Sequence, residues 1–297
     1  MIIRRVIFVV SFLLVLSLTG CANQGGEVAG KGDEVVAGEV NTSIAFDKDK
    51  VNADNTDGVS VSDREVKITK SGLYTLSGTW NDGQIVVDMD KESEAVLLLD
   101  GVNITNTKSA PIYIKSADKV KIELADGKDN ILTDAEFYVF DDPQETKPNA
   151  CIYGKDDITI KGSGNLTVNA NYNNGIGTKN DLKITGGNIT INAFNNGLKG
   201  NDSMTITGGN IEITAAGDGI EVTNEEDIDK GFVKISGGKI KIKAKDDAIK
   251  GVTGVSIHNA DVKVSADGED VKCEGPKYID EDCISPLEPD DTVSGDL

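Results

Sequence analysis

A motif returning at a fixed interval restricts this fold more than any other feature of the chain. Leu182-Lys183-Ile184-Thr185-Gly186-Gly187-Asn188-Ile189-Thr190-Ile191 comes back over 204–213 and 233–242, and more loosely over 158–170 and 255–266. Its apolar anchors Ile184, Ile191, Leu198, Ile206, Ile213 and Ile220 lie 7, 7, 8, 7 and 7 residues apart, and Ile235, Ile242, Ile249, Ile257, Val264 and Val271 repeat the series. The step from Ile220 to Ile235 is 15 residues, which places an acidic insertion, Asn224–Lys230, at one corner. A spacing of seven also suits a coiled coil. Gly-Gly in each repeat and period-two alternation of Ile, Val and Thr exclude one, since neither persists in a long helix. Three short strands per 22-residue unit therefore predict an all-β, three-sided parallel β-helix whose coils pair with those above and below.

Stacking turns distant residues into neighbours, about 4.8 Å apart. The row two places before the third anchor reads Asn174, Asn196, Asp218, Asp247 and Glu269, at steps of 22, 22, 29 and 22. Asn174 and Asn196 are expected to form an amide ladder. Ionised carboxylates cannot. Two of them about 5 Å apart repel by roughly 1 kcal/mol in water and about 3 kcal/mol at a protein surface. Glu221, Glu225, Glu226, Asp227, Asp246 and Asp270 crowd the same edge. Two readings stand side by side: a hard cation such as Ca²⁺, which takes carboxylate, amide and carbonyl oxygens, or plain turn chemistry with solvated charges. A second row, Asp157, Asp181 and Asp202, is read as structural.

Composition excludes several functions. The formal net charge is −20, with 30 basic against 50 acidic residues. No basic surface exists to displace counterions from nucleic acid, and cations are the expected partners. His258 is the one histidine, so multi-histidine zinc sites are excluded and a Ser-His-Asp triad would rest on it alone. One Trp among 14 aromatic residues argues against a broad stacking platform.

The chain opens with a signal-like segment. Met1–Arg5 is basic and Val6–Leu18 is apolar, too short to cross a bilayer comfortably. Leu18-Thr19-Gly20-Cys21 reads as a lipobox, with lipid on Cys21 and the protein exported and held at the membrane. The expected divisions are a signal peptide over 1–20, a flexible tether over 21–41, the β-helix over 42–275 and a loose acidic tail over 276–297. Asp134–Asn149 is read as a long loop. Cys273 and Cys283 lie ten apart and could form a disulfide, while Cys151 is read as a core residue.

Upstream, Gly101-Val102-Asn103-Ile104-Thr105-Asn106, Ala110-Pro111-Ile112-Tyr113-Ile114-Lys115, Leu124-Ala125-Asp126-Gly127-Lys128-Asp129-Asn130-Ile131-Leu132-Thr133-Asp134 and Asn171-Tyr172-Asn173-Asn174-Gly175-Ile176 precede the regular repeats. With them the chain resembles bacterial carbohydrate-binding lipoproteins built on a calcium-binding, right-handed β-helix similar to that of pectate lyases. The resemblance implies polysaccharide binding at a cell surface, with cellulose or pectin-like uronates as ligands, and bound calcium. It moves the acidic row toward the calcium reading, with Asn196, Asp218, Glu221, Asp246, Asp247, Glu269 and Asp270 as candidate ligands. Asparagine at 174 and 196, where richer metal sites carry Asp, leaves the number of ions open.

Three functions follow as alternatives. The first is a non-catalytic polysaccharide-binding protein, reaching sugar through Lys199, Lys250 or an aromatic rim around Trp80, Tyr113 and Tyr138. The second is a calcium-dependent lyase, with Lys199 or Lys250 as the base that abstracts the proton beside a uronate carboxylate. Solvated lysines offsetting the acids are the plainer reading of that pair. The third is an adhesin or spacer that binds another protein.

Overall fold

The computed structural model describes residues 40–139, 148–288, 291 and 293, all within the unit Val35–Leu297. The expected signal peptide, Cys21 and nearly all of the tether lie outside the described residues. No helix occurs among them, and the strands form two extensive sheets in which almost every pairing is parallel.

Pairing follows the sequence period. Leu182 sits opposite Met204, 22 residues on, and Ile189 opposite Ile211, again 22 on. Across the acidic insertion the step lengthens to 29, with Met204 opposite Val233 and Ile211 opposite Ile240, then returns to 22 at Val233 and Val255. The smaller sheet keeps the same steps, Leu198 opposite Ile220 and Ile220 opposite Ile249. Upstream the insertion around 134–149 stretches the step, so that Ile112 faces Ile152 and Leu132 faces Val168.

Alternation sends one face of each strand inward. In Lys239–Ala244 the three lysines point out while Ile240, Ile242 and Ala244 are buried. Ile184, Ile206, Ile235 and Ile257 stack in register at 0% exposure, each burial contributing roughly 1.5–3 kcal/mol before ordering costs. The Thr-Gly-Gly corner explains itself. Gly209 has φ +102°, and a Cβ on Gly208 would lie 2.8 Å from the Thr185 carbonyl oxygen. Upstream the same corner is not cut: Glu94–Thr105 runs as one strand, pairing with Lys119–Leu124 and then with Asp129–Thr133.

Both ends of the stack differ from expectation. At the start, Val40–Lys48 pairs with Gly72–Trp80 and folds back on antiparallel Lys50–Ala53. Phe46 stacks on Trp80 at 4.9 Å, and Trp80 is 1% exposed. This tryptophan seals the core and is not a rim residue. At the far end the expected loose tail begins too early. Lys277–Ile279 and Ile284–Pro286 pair at the regular 22-residue step with Val255–Ile257 and Val262–Val264. The expected disulfide is not formed either. Cys273 and Cys283 are free thiols, the first in the smaller sheet and 3.5 Å from the Val252 carbonyl, the second buried in the core just before Ile284–Pro286. Cys151 is wholly buried, and burial pushes its thiol well up.

Candidate functional site

The acidic row is a row in the structure, and its spacing is set by the backbone. Each side-chain oxygen accepts the amide N–H of its counterpart in the next repeat. Asn174 Oδ1 takes Asn196 N at 3.3 Å, Asn196 Oδ1 takes Asp218 N at 2.9 Å, Asp218 Oδ1 takes Asp247 N at 3.0 Å and Asp247 Oδ1 takes Glu269 N at 2.9 Å. Asn174 and Asn196 therefore do not form the expected amide-to-amide ladder, because those oxygens cap backbone donors that would otherwise be buried and unpaired. Amide ladders occur elsewhere, at Asn165–Asn188 (3.0 Å) and Asn169–Asn192 (3.2 Å).

A second row crosses the first. Lys199, Glu221, Lys250 and Lys272 are cross-strand neighbours in the smaller sheet. Glu221 Oε2 accepts from Lys199 Nζ and from Asn196 Nδ2, both at 2.6 Å, and its Oε1 accepts from Lys250 Nζ at 3.0 Å. Lys250 also reaches Asp218 Oδ2 at 3.3 Å. Lys272 Nζ lies 2.9 Å from the buried Asp247 Oδ2 and forms an ion pair with it. Three largely buried acids thus face three lysines.

Titration follows from this arrangement. Burial raises Asp218, against the Asp247 amide and Lys250. Burial also opposes ionisation of Glu221, but Lys199 and Lys250 outweigh it and hold Glu221 low. Asp247 is likewise opposed by burial yet held low by the Glu269 amide and Lys272. Burial works against the charge on Lys250, and its two acids overcome it, so the ammonium is held well above its ordinary range. Lys250 favours the charged form of both acids, but Glu221 has Lys199 as well and lies nearer, so burial prevails only at Asp218.

Of the seven expected metal ligands, three converge. Asp218, Asp246 and Asp247 each bring one carboxylate oxygen within 4.8 Å of the others. Asp246 is exposed, while Asp218 and Asp247 keep one oxygen each beyond their backbone bonds. This donor set fits a hard cation whose remaining positions are filled by water or a ligand, provided Lys250 and Lys272 swing aside. Asn196 and Glu221 are turned to the lysine row instead. Glu269 and Asp270 are exposed and outside the group, with Glu269 3.8 Å from Lys277. In the second acidic row, Asp181 accepts from Ser203 Oγ at 2.7 Å, and Asp202 from Asn224 at 2.9 Å and Lys230 at 2.7 Å, contacts that fit a structural role.

The expected aromatic rim does not exist. Besides Trp80, Tyr113 is 7% exposed beside Tyr153, and Tyr138 is 9% exposed and stacked on Tyr172 at 4.1 Å. The exposed rings are others. Phe137 (77% exposed) and Phe194 (70%) flank Tyr172 around a groove of about 630 Å³. A signal for it was present in the sequence, since Tyr172 and Phe194 are one 22-residue period apart, each two places before the acidic row.

The fold and site define a class: a parallel β-stack with a polar, carboxylate-rich corner. The chain matches the family model described as carbohydrate-binding domain-containing protein over residues 62–293, and it belongs to that family. A carbohydrate-binding domain-containing protein of Acetivibrio thermocellus is 71% identical over 286 residues, which is 96% of this chain and 99% of the relative. A solved structure described as the polysaccharide lyase-like protein from C. thermocellum, gadolinium derivative, shares 75% identity with TM-score 0.82, covering 84% of this chain and all of that one.

Proposed function

We propose that this protein is a non-catalytic polysaccharide-binding protein that uses Ca²⁺ at Asp218, Asp246 and Asp247 to hold uronate-bearing glycans. The convergence of these three carboxylates on one corner carries the reading. At net charge −20 the chain repels an acidic polysaccharide, and an ion shared between protein and sugar carboxylates reverses that. A relative described as a gadolinium derivative adds support, since gadolinium is also a hard, oxygen-seeking ion. The winding proposed is right-handed and three-sided with about 22 residues per coil, supported by the 22-residue pairing steps. Export and a lipid anchor on Cys21 complete the proposal.

The lyase reading is favoured by the description of the solved relative. Against it stands Lys250, held as an ammonium ion by Glu221 at 3.0 Å and Asp218 and therefore a poor base, while Lys199 is engaged by Glu221 at 2.6 Å. Calcium titration by calorimetry tests the site. Asp246→Asn is expected to weaken calcium about tenfold, equivalent to about 1.4 kcal/mol, while the metal-free melting temperature stays put. Equal calcium affinity in both proteins contradicts the site. Ultraviolet absorbance growing during incubation with polygalacturonate contradicts the non-catalytic assignment.

A further inference from the structure

The groove at Phe137, Tyr172 and Phe194 lies on the same corner as the acidic row, further upstream in the stack. Two places before each member of that row the chain carries Tyr172, Phe194, Ala216, Lys245 and Asp267. The corner is thus aromatic at one end and charged at the other. The groove is walled by residues from three successive repeats, around 170–172, 192–194 and 214–216. Two strand spacings make that span about 10 Å, on the order of a disaccharide.

Its chemistry selects the ligand. Phe137 and Phe194 expose rings with no polar atoms, in a chain that buries its one tryptophan and stacks Tyr138 under Tyr172. Exposed phenylalanines that the core does not need mark a binding surface. Among the described residues, the polar lining is the amides of Asn171 and Asn192, the hydroxyls of Tyr172 and Thr214, and one carboxyl group, Glu136. No lysine or arginine among the described residues lines the groove to receive an anion. Asn192 lines the groove with its Nδ2 held on Asn169 Oδ1 at 3.2 Å, which leaves its own Oδ1 as a buried acceptor without a hydrogen-bond partner.

From these observations we infer that the groove is a binding site for a neutral polysaccharide whose pyranose rings lay flat C–H faces on Phe137 and Phe194 while their hydroxyls meet the asparagine amides. The inference rests on the carbohydrate-binding reading and adds a subsite that needs no metal. A glucan chain binds here, and a uronate chain binds at the acidic end.

Calorimetry with cellohexaose, on the full chain with and without chelator, tests it. Phe194→Ala is expected to weaken binding at least about tenfold and Phe137→Ala similarly, as for a central aromatic anchor. Both rings are exposed, so folding survives. Tyr278→Ala, an exposed ring at the far end (63%), is expected to change nothing, and chelator is expected to change nothing. Unchanged affinity in Phe194→Ala overturns the proposal. So does wild-type protein that associates with itself through these phenylalanines, shown by sedimentation that Phe194→Ala abolishes. Binding of polygalacturonate without any binding of cellohexaose overturns the groove and leaves the carbohydrate reading intact. Binding of neither overturns both.

Discussion

The two ends of the corner solve the same packing problem with opposite chemistry. Around Asp218 and Asp247 the side chains are locked, each acid tied to a backbone amide and a lysine. Around Phe194 the exposed side chain projects from the same turn two places earlier. The backbone course is shared, so the difference lies in what the side chains contribute. At one end they hold the repeats in register, and at the other they leave aromatic rings exposed.

Removing charge from the acidic end should therefore hurt stability, and removing a ring from the aromatic end should not. Glu221→Ala leaves Lys199, Lys250 and Asn196 Nδ2 without their shared acceptor. A loss of about 3 kcal/mol is expected in urea unfolding, at the lower end for a broken buried pair because the lysines are partly exposed. Phe194→Ala in the same experiment should stay within about 0.5 kcal/mol. Similar losses in the two variants would erase the contrast.

A smaller effect separates the ends by pH. Burial raises Asp134 from 3.8 to about 6, against hydrogen bonds from Tyr138 and the amide of Asn171. Tyr138 Oη lies 2.6 Å from Asp134 Oδ2 and 3.1 Å from the Ala150 carbonyl, and one hydroxyl proton cannot serve both acceptors. Protonated Asp134 can donate to Tyr138, which then donates to Ala150. Cys151, which also faces Asp134, is kept neutral in this range by burial. Because the folded state holds this proton more tightly, its contribution is complete below about pH 4 and is lost as pH rises through about 6. It amounts to at most about 3 kcal/mol, reduced by solvent relaxation. Asp134→Asn should flatten stability against pH between about 4 and 6, and an unaltered slope would remove Asp134 from the account.

Much of this was legible in the chain, and the failures share a cause. The 22, 22, 29, 22 spacing placed Asp218 beside Asp247, and the Asp247 amide is 3.0 Å from Asp218 Oδ1. Period-two alternation identified the buried isoleucines because one face must be dry. What spacing does not encode is the direction in which a corner side chain turns. Spacing sets carboxylate against carboxylate along the row, whereas backbone amides and Lys199, Lys250 and Lys272 meet them first. Nothing local to Trp80 in the sequence shows that Phe46 covers it. The last pairings were missed because Pro276 and Pro286 interrupt the apolar pattern, although Ile257 and Ile279 keep the period.

The central claim is that one corner carries two chemically distinct binding regions. Retention of the wild-type protein on polygalacturonate and on cellulose, each with and without chelator, tests it most directly. Chelator should abolish retention on polygalacturonate and leave retention on cellulose intact. Loss on both supports, or persistence on both, would contradict the division.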